Sequence, residues 1–331
     1  MPQPIAIAFI HGIGRTEPGY SAAMQRSLVR RFAAHLGAKV PVPDSQLVFE
    51  EINWSAALQY RENALWNRLN PAGPMRYKRL RRFLVDFAAD AIAYQPGSSD
   101  RTAYDAVHRQ VAVSLARLAE RAGPGAPLCI VAHSLGTVIA SNYVYDLMKR
   151  HGSFMCPSVR RLINGTPLER GETLSLLYTM GSPIALWSLR FPRFGVPIRL
   201  PTPSLARHHP GLTPAWINLY DPDDVIGYPL RPLNSAYRAA VTEDRPIDVG
   251  SLFTRWNPLS HQGYWNDGRV ADAIAESLAS VWRRSSSLTL VPARRSVARA
   301  RARKTGMQDA SSARSDASAS RPPRATQRGI R

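Results

Sequence analysis

A chain of 331 residues, 44% of them hydrophobic, is able to bury a large core, and this excludes an intrinsically disordered protein. Two cysteines are too few for a disulfide framework, and Cys129 lies in an apolar segment, so we expect a reducing, cytoplasmic compartment. Of the formal net charge of +19, +11 lies in residues 283–331, which argues against a nucleic-acid-binding role for the main domain.

The N-terminal region contains no sign of export or of a membrane anchor. A short apolar run begins at Ile5, without a basic leader or a small-residue cleavage site before it. No stretch approaches the roughly 18 apolar residues that span a bilayer. We expect a soluble protein, with peripheral membrane contact as an open alternative.

The first elements in chain order are a strand, a helix and a second strand. Residues 5–10 form a continuous apolar run bounded by Pro4 and His11, as in a buried parallel strand. Residues 19–36 have helical spacing, and residues 46–54 follow two prolines as a second strand.

The clearest strand-to-helix step comes later in the chain. Residues 127–132 are apolar, and residues 135–149 then continue with a helical period. Further strands fit residues 174–179 and 215–220, and a last helix fits residues 270–282. This alternation predicts an α/β fold with a mostly parallel central sheet covered by helices on both faces.

Two long segments interrupt this alternation. Residues 55–123 contain no convincing strand and are expected to form a helical insertion or lid. Within them, residues 75–93 combine basic and apolar side chains, as in a covering helix or in an amphipathic helix on a membrane surface. The proline-rich residues 191–214 are expected to form a loop, and this loop and residues 55–100 are candidates for the pocket wall.

The C-terminal segment differs from the rest in composition. Residues 285–331 are rich in Arg, Ala, Ser and Pro, and they have few large apolar side chains to offset the entropy of ordering. We predict one α/β domain over residues 1–284 and a disordered basic tail after it. The tail either contacts nucleic acid or anionic lipid through charge, or is a solvated extension without a partner.

The segment Ala132-His133-Ser134-Leu135-Gly136 matches the nucleophile-elbow pattern, with alanine at the first glycine position. Small residues two positions before and after the serine are needed because the serine occupies a strained strand-to-helix turn. A predicted strand ends at the motif and a predicted helix begins after it, which is the context that the pattern requires. Ser134 is therefore the candidate nucleophile.

A glycine-rich turn, His11-Gly12-Ile13-Gly14, follows the first strand. Acyl transfer develops negative charge on a carbonyl oxygen, and such a turn is able to direct backbone N–H groups toward it. We predict the N–H groups of Ile13 and Leu135 as the oxyanion pair, with His11, Gly12 and His133 beside the substrate. A tight turn without a ligand and a phosphate-binding loop are the alternatives, although no Gly-Lys-Ser/Thr follows.

A serine hydroxyl needs a base, and the base needs a carboxylate that orients it, in the chain order serine, acid, histidine. Of the histidines after Ser134, His261 lies just before the last helix, where such a base is expected. The acid is expected after the strand at residues 215–220, which offers Asp221, Asp223 and Asp224. A metal site formed by these acids is a weaker alternative because they lack a clear ligand spacing.

These segments resemble the lipase and serine-esterase branch of the α/β-hydrolase superfamily over roughly residues 5–282. The blocks at residues 181–184, 218–233 and 261–265 are similar, in the same order, to blocks of the DDHD-type phospholipases. That resemblance implies Asp224 as the acid, with Asp223 as second choice. The chain departs from the DDHD type at three positions, which are Asp221 for histidine, Val225 for proline and Ala132 for glycine.

The predicted function is hydrolysis of a carboxylic ester, with a small-molecule or lipid ester as substrate, through Ser134, His261 and Asp224. No cofactor, metal or obligate protein partner is expected. The alternatives are an amidase, thioesterase or acyltransferase with the same triad, or a binding protein that retains the fold and uses its basic tail.

Overall fold

The computed structural model describes residues 3–13, 16–37, 43–55, 64, 67–68, 76, 81, 91–94, 101–149, 155–163, 165–190, 194, 196–198, 200, 204–250 and 258–289. Its strands are β1 (Ile5–Ile10), β2 (Leu47–Ile52), β3 (Leu128–His133), β4 (Leu174–Met180), β5 (Ala215–Tyr220) and β6 (Glu243–Pro246). Its α-helices are α1 (Ala22–Leu36), α2 (Thr102–Ala122), α3 (Leu135–Met148), α4 (Pro157–Arg160), α5 (Ile184–Trp187), α6 (Leu205–His208), α7 (Ser235–Ala240) and α8 (Gly268–Thr289). Short 3-10 helices span Pro43–Gln46, Ser188–Arg190, Arg231–Leu233 and Pro258–Asn266.

The six strands form one sheet in the order β2-β1-β3-β4-β5-β6. Every neighbouring pair is parallel, and this confirms the predicted α/β fold with a parallel sheet. From β1 the chain adds β2 on one side of the sheet, and it then crosses back to add β3 to β6 on the other side. The loops after β1 and β3 therefore lead away from each other at the carboxyl edge of the sheet. In an open α/β sheet this switch point is where ligands bind.

Each face of the sheet has its own hydrophobic core, because successive side chains of a strand point to opposite faces. Along β1, Ile5, Ile7 and Phe9 pack with apolar residues of α1 and α8. The intervening alanines and Ile10 pack on the other face with residues of α2 and α3. Since both faces of β1 are covered, its sequence is a continuous apolar run, without the alternation of a half-exposed strand.

The predicted elements agree with the structure except in the C-terminal half. The edge strand β6 was missed, because Glu-Asp-Arg-Pro has no apolar pattern and the strand is defined by its pairing with β5. The predicted loop at residues 191–214 contains the short helix α6, which buries Leu205. The predicted loop around His261 is a 3-10 helix, and the last helix extends beyond its predicted end.

Part of the segment predicted as an insertion is helical in the structure. Helix α2 occupies its last third, and the described residues between 55 and 123 contain no strand. The segment at residues 75–93 lies almost wholly outside the described residues, as does the tail from residue 290. In the part of the chain that the structure describes, no helix combines the length and the apolar character needed to cross a bilayer.

Candidate active site

Ser134 lies at a sharp turn between β3 and α3, with φ 53° and ψ −130°. It is the one non-glycine residue with a positive φ in the described part of the chain, and this conformation is costly for an L-residue. Its N–H donates to the Met180 carbonyl at 2.9 Å. Gly136 permits the turn, because a Cβ there would lie 2.6 Å from the Ile10 carbonyl oxygen. The local backbone is therefore that of a nucleophile elbow.

The structure brings Ser134, His261 and Asp224 together in one hydrogen-bonded chain. His261 Nε2 lies 2.8 Å from Ser134 Oγ, and His261 Nδ1 lies 2.8 Å from Asp224 Oδ2. With the proton on Nδ1, the ring donates to the carboxylate and accepts from the serine hydroxyl. All three side chains are almost fully buried. This arrangement is able to remove the serine proton and to stabilise the resulting imidazolium.

Asp224 is held by several donors at the end of β5. The Ile226 N–H donates to Oδ1 at 2.9 Å, and the Tyr264 hydroxyl donates to Oδ2 at 3.0 Å. Burial alone would raise the pKa of Asp224. The hydrogen bond and the charge of His261, together with these two donors, outweigh burial and hold the pKa of Asp224 below its usual value. Asp224 is therefore a carboxylate at neutral pH.

Two glycines line the carboxylate of Asp224. A Cβ at Gly181 would lie 2.8 Å from Oδ2, and a Cβ at Gly227 would lie 2.7 Å from the same atom. Gly181 also has φ 53°, a conformation that side chains rarely adopt. Sequence reasoning did not assign a role to Gly181, Gly227 or Tyr264, although Gly181 and Tyr264 lie in segments that carried the family resemblance. The signal for Tyr264 is its spacing from His261, because residues three apart lie on the same side of a helical turn.

The other two acids of the β5 turn have different environments. Asp221 is buried and accepts from the Asp223 and Val249 N–H groups at 2.7 and 2.6 Å, so it stabilises the turn. Burial also raises the pKa of Asp221. Asp223 is exposed, and His261 bonds to Asp224, so the structure favours the first-choice acid.

The glycine-rich turn after β1 lies directly against Ser134. A Cβ at Gly12 would lie 2.6 Å from the Ser134 Cβ and 3.2 Å from its Oγ. Only a glycine permits this approach of the turn. Leu135, the first residue of α3, follows the serine, and a helix N-terminus favours negative charge. The predicted oxyanion donors, Ile13 and Leu135, therefore belong to the two segments that border Ser134.

His11 is buried and supports the glycine-rich turn from inside. Its ring stacks on Trp54 with centroids 4.9 Å apart, and its Nδ1 lies 2.7 Å from the Gly12 carbonyl and 2.9 Å from Thr16 Oγ1. Burial lowers the pKa of His11 to about 4, so the ring is neutral at physiological pH. In this structure the ring contacts protein groups, and its predicted contact with substrate stays a prediction.

His133, the residue before Ser134, contacts the segment that carries His261. Its Nε2–H donates to the His261 carbonyl at 2.7 Å, and its ring lies 4.8 Å from the His261 ring and 5.5 Å from the Tyr264 ring. Burial lowers the pKa of His133 to about 3. This ring also contacts protein groups, and its predicted position beside the substrate stays a prediction.

The described residues contain no group of three or more His, Cys, Asp or Glu side chains arranged to hold a metal ion.

A model of the alpha/beta hydrolase family matches residues 53–319 of the chain. No curated protein matches it. A crystal structure of the esterase domain of a Rhodothermus marinus protein is similar at 12% identity over 86% of this chain and 89% of that one, with a TM-score of 0.32.

Proposed function

Since the chain belongs to the alpha/beta hydrolase family, we propose that it hydrolyses carboxylic esters through an acyl-serine intermediate. The observation that carries this proposal is the hydrogen-bonded chain from Ser134 Oγ through both ring nitrogens of His261 to the Asp224 carboxylate. The strained backbone of Ser134 adds support, because strain of this kind is maintained where it orients a reacting group.

In the acylation step, Ser134 Oγ forms a bond to the ester carbonyl carbon while its proton passes to His261 Nε2. The carbonyl π electrons move to the oxygen, and the N–H groups of Ile13 and Leu135 stabilise this oxyanion. When the carbonyl re-forms, the bond to the leaving alkoxide breaks and the alkoxide takes the proton from His261. An alcohol leaves and the acyl group remains on Ser134, while Asp224 stabilises the transient imidazolium throughout.

In the deacylation step, water gives a proton to His261 Nε2 and its oxygen attacks the acyl carbon. Collapse of this second tetrahedral intermediate breaks the bond to Ser134 Oγ, which recovers the proton from His261. A carboxylic acid is released and the enzyme returns to its starting state. The His133 donor to the His261 carbonyl helps to hold the base in place through both steps.

An apolar acyl group is the substrate class that the surface around the triad supports. Several large apolar side chains are exposed on the segments that follow β4 and β5, at the same edge of the sheet as Ser134; they are Leu186, Leu189, Val225 and Tyr228. Exposed apolar groups beside a reactive site favour binding of an apolar chain. The DDHD-like blocks agree with a lipid ester.

The test is labelling with a fluorophosphonate probe, followed by turnover of p-nitrophenyl esters of increasing chain length. Ser134→Ala is expected to abolish labelling and to lower kcat by about 10⁴-fold or more. The matched control, Asp223→Asn, removes an exposed acid of the same turn and is expected to retain full activity. A folded wild type that neither labels nor turns over any ester, or a labelled residue other than Ser134, would contradict the proposal. Matched thioesters and anilides separate esterase from thioesterase and amidase activity.

A further inference from the structure

A cavity of about 840 Å³ lies between the first half of α1 and the start of α8, and none of the three triad residues lines it. Its lining includes the rings of Phe49 and Trp265. Both rings pack on Phe9, with centroids 5.8 Å from it. Ligand cavities typically measure roughly 300–1,000 Å³ and are largely apolar. This cavity is therefore large enough for a small organic molecule.

The rim of this cavity is positively charged. Arg26 and Arg30 line it from one face of α1, four residues apart, and both are exposed. Like charges at this spacing destabilise a helix by a few tenths of a kcal/mol. Within the described ranges no carboxylate forms an ion pair with either arginine, and the acid at the rim, Asp267, is paired with Arg269 at 2.9 Å. A bound anion would offset the repulsion.

We propose that this cavity is a second ligand site, separate from Ser134, which binds a carboxylate attached to an apolar chain or ring. Arg26 and Arg30 supply guanidinium groups, whose planar donor geometry matches a carboxylate. Phe49 and Trp265 contact the apolar part of the ligand and remove its surface from water. Arg31 also lines the cavity, but its guanidinium bonds to Asp272 at 3.0 Å and supports the protein itself.

Trp265 connects the cavity with the segment that carries the base. The Trp265 ring lies edge-on to the His133 ring at 5.9 Å, and His133 donates to the His261 carbonyl. A ligand against Trp265 therefore changes the packing of the groups that hold His261, and occupancy of the cavity alters turnover. The effect of the cavity on turnover rests on the proposed function, ester hydrolysis at Ser134. Ester hydrolysis itself releases a carboxylate, so the ligand comes either from the reaction or from outside it.

Binding is tested by calorimetric titration of the full-length Ser134→Ala protein with sodium decanoate below its micellar concentration. We expect one decanoate per chain, and at least tenfold weaker binding of 1-decanol, which lacks the charge. The double variant Arg26→Gln/Arg30→Gln is expected to weaken decanoate binding at least tenfold. The matched control, Arg160→Gln/Arg238→Gln, removes two exposed arginines on α4 and α7 and leaves binding unchanged.

A second variant tests the cavity without a change of charge. Ala23→Phe places a ring in the cavity and keeps both arginines, so it should also weaken decanoate binding at least tenfold, while circular dichroism confirms the fold. Absence of decanoate binding, or equal binding in the Arg26/Arg30 variant and in its control, would overturn the proposal. Because this arm uses a protein without its serine nucleophile, its outcome is independent of esterase activity.

The kinetic arm tests the link to the triad in the wild-type protein. Decanoate at the Ser134 site competes with substrate and raises KM alone, whereas decanoate in the cavity changes kcat. We expect a change of at least twofold in kcat that is absent from Arg26→Gln/Arg30→Gln. Decanoate binding with an unchanged kcat would overturn the link. Progress curves identify the source of the ligand. A rate that drifts during turnover of p-nitrophenyl decanoate, but not of p-nitrophenyl acetate, indicates that the released decanoate is the ligand.

Discussion

Two buried histidines of this molecule have similar neighbours and different geometry. His261 lies between Ser134 and Asp224, with a tyrosine hydroxyl on the same carboxylate. His108, on α2, lies near the hydroxyl of Tyr94 and near Asp146 of α3, and that carboxylate also accepts from a tyrosine. Both histidines are almost inaccessible to solvent.

The difference lies in the distance from Nδ1 to the acid. In the triad this distance is 2.8 Å, whereas His108 Nδ1 lies 3.9 Å from Asp146 Oδ2 and has no hydrogen-bond partner among the described residues. Without a carboxylate on Nδ1, burial lowers the pKa of His108 to about 3, and the ring stays neutral. Residue types alone therefore do not define a catalytic site, because the base requires an oriented acid and a reachable nucleophile.

The largest expected effect comes from breaking the acid–base contact in the triad. Asp224→Asn should lower kcat by about 10⁴-fold, because an amide no longer stabilises the imidazolium or fixes its tautomer. Asp146→Asn, the same change in the other network, should leave kcat within about twofold. Steady-state kinetics with a p-nitrophenyl ester measures both. Equal losses in the two variants would refute the distinction between the networks.

A smaller effect is expected when the acid is displaced and not removed. Gly181→Ala and Gly227→Ala each place a methyl group less than 3 Å from Asp224 Oδ2, and a displacement of about 1 Å costs roughly 10²-fold in rate. Gly125→Ala is the control, since a Cβ there would have its nearest neighbour at 3.9 Å. Full activity of both Gly181 and Gly227 variants would show that the carboxylate tolerates the displacement.

A still smaller effect is expected from the tyrosines that accompany the two networks. Tyr264→Phe removes a donor to the Asp224 carboxylate, and a hydrogen bond to a charged group contributes about 1.5–3 kcal/mol, so kcat should fall roughly tenfold or somewhat more. Tyr94→Phe should leave kcat unchanged and lower the unfolding free energy by about 1 kcal/mol. Kinetics and urea unfolding of the same two variants separate catalytic positioning from stability.

The last prediction concerns the pH dependence of stability and not the rate of turnover. The pKa of His108 is about 3 in the folded protein and about 6.5 in the unfolded chain, so the unfolded chain binds more protons between these values. The stability associated with neutral His108 is complete above pH 6.5 and falls by up to about 1.4 kcal/mol per pH unit below it. Urea unfolding of the wild type and His108→Gln at pH 7.5, 6 and 5 measures this slope. A slope that is not shallower in His108→Gln would contradict the assignment.

Most of the sheet was predictable because its determinants are local. The strands β1, β3 and β4 are buried along their whole length, since both faces of the sheet are covered, and their mainly apolar runs, interrupted in β4 by Ser175 and Thr179, are recognisable in isolation. Strand β6 was missed because its four residues are polar, and its strand conformation depends on hydrogen bonds from β5. The same contrast holds for helices, where the amphipathic α8 was found and the short α6 and α7 were not.

The sequence by itself determined the elbow around Ser134, because a strained turn needs small residues at fixed positions and an apolar strand just before it. It also limited the candidate base to His261 and the candidate acid to three neighbouring aspartates, of which the family resemblance implied Asp224. Only the tertiary structure decided which aspartate meets the base, and it alone identified Gly181, Gly227, Tyr264 and the orientation of His133. These contacts join groups far apart in the chain, such as His261 and Ser134, which are separated by 127 positions. Side-chain packing across several strands determines such distances, and no local pattern encodes them.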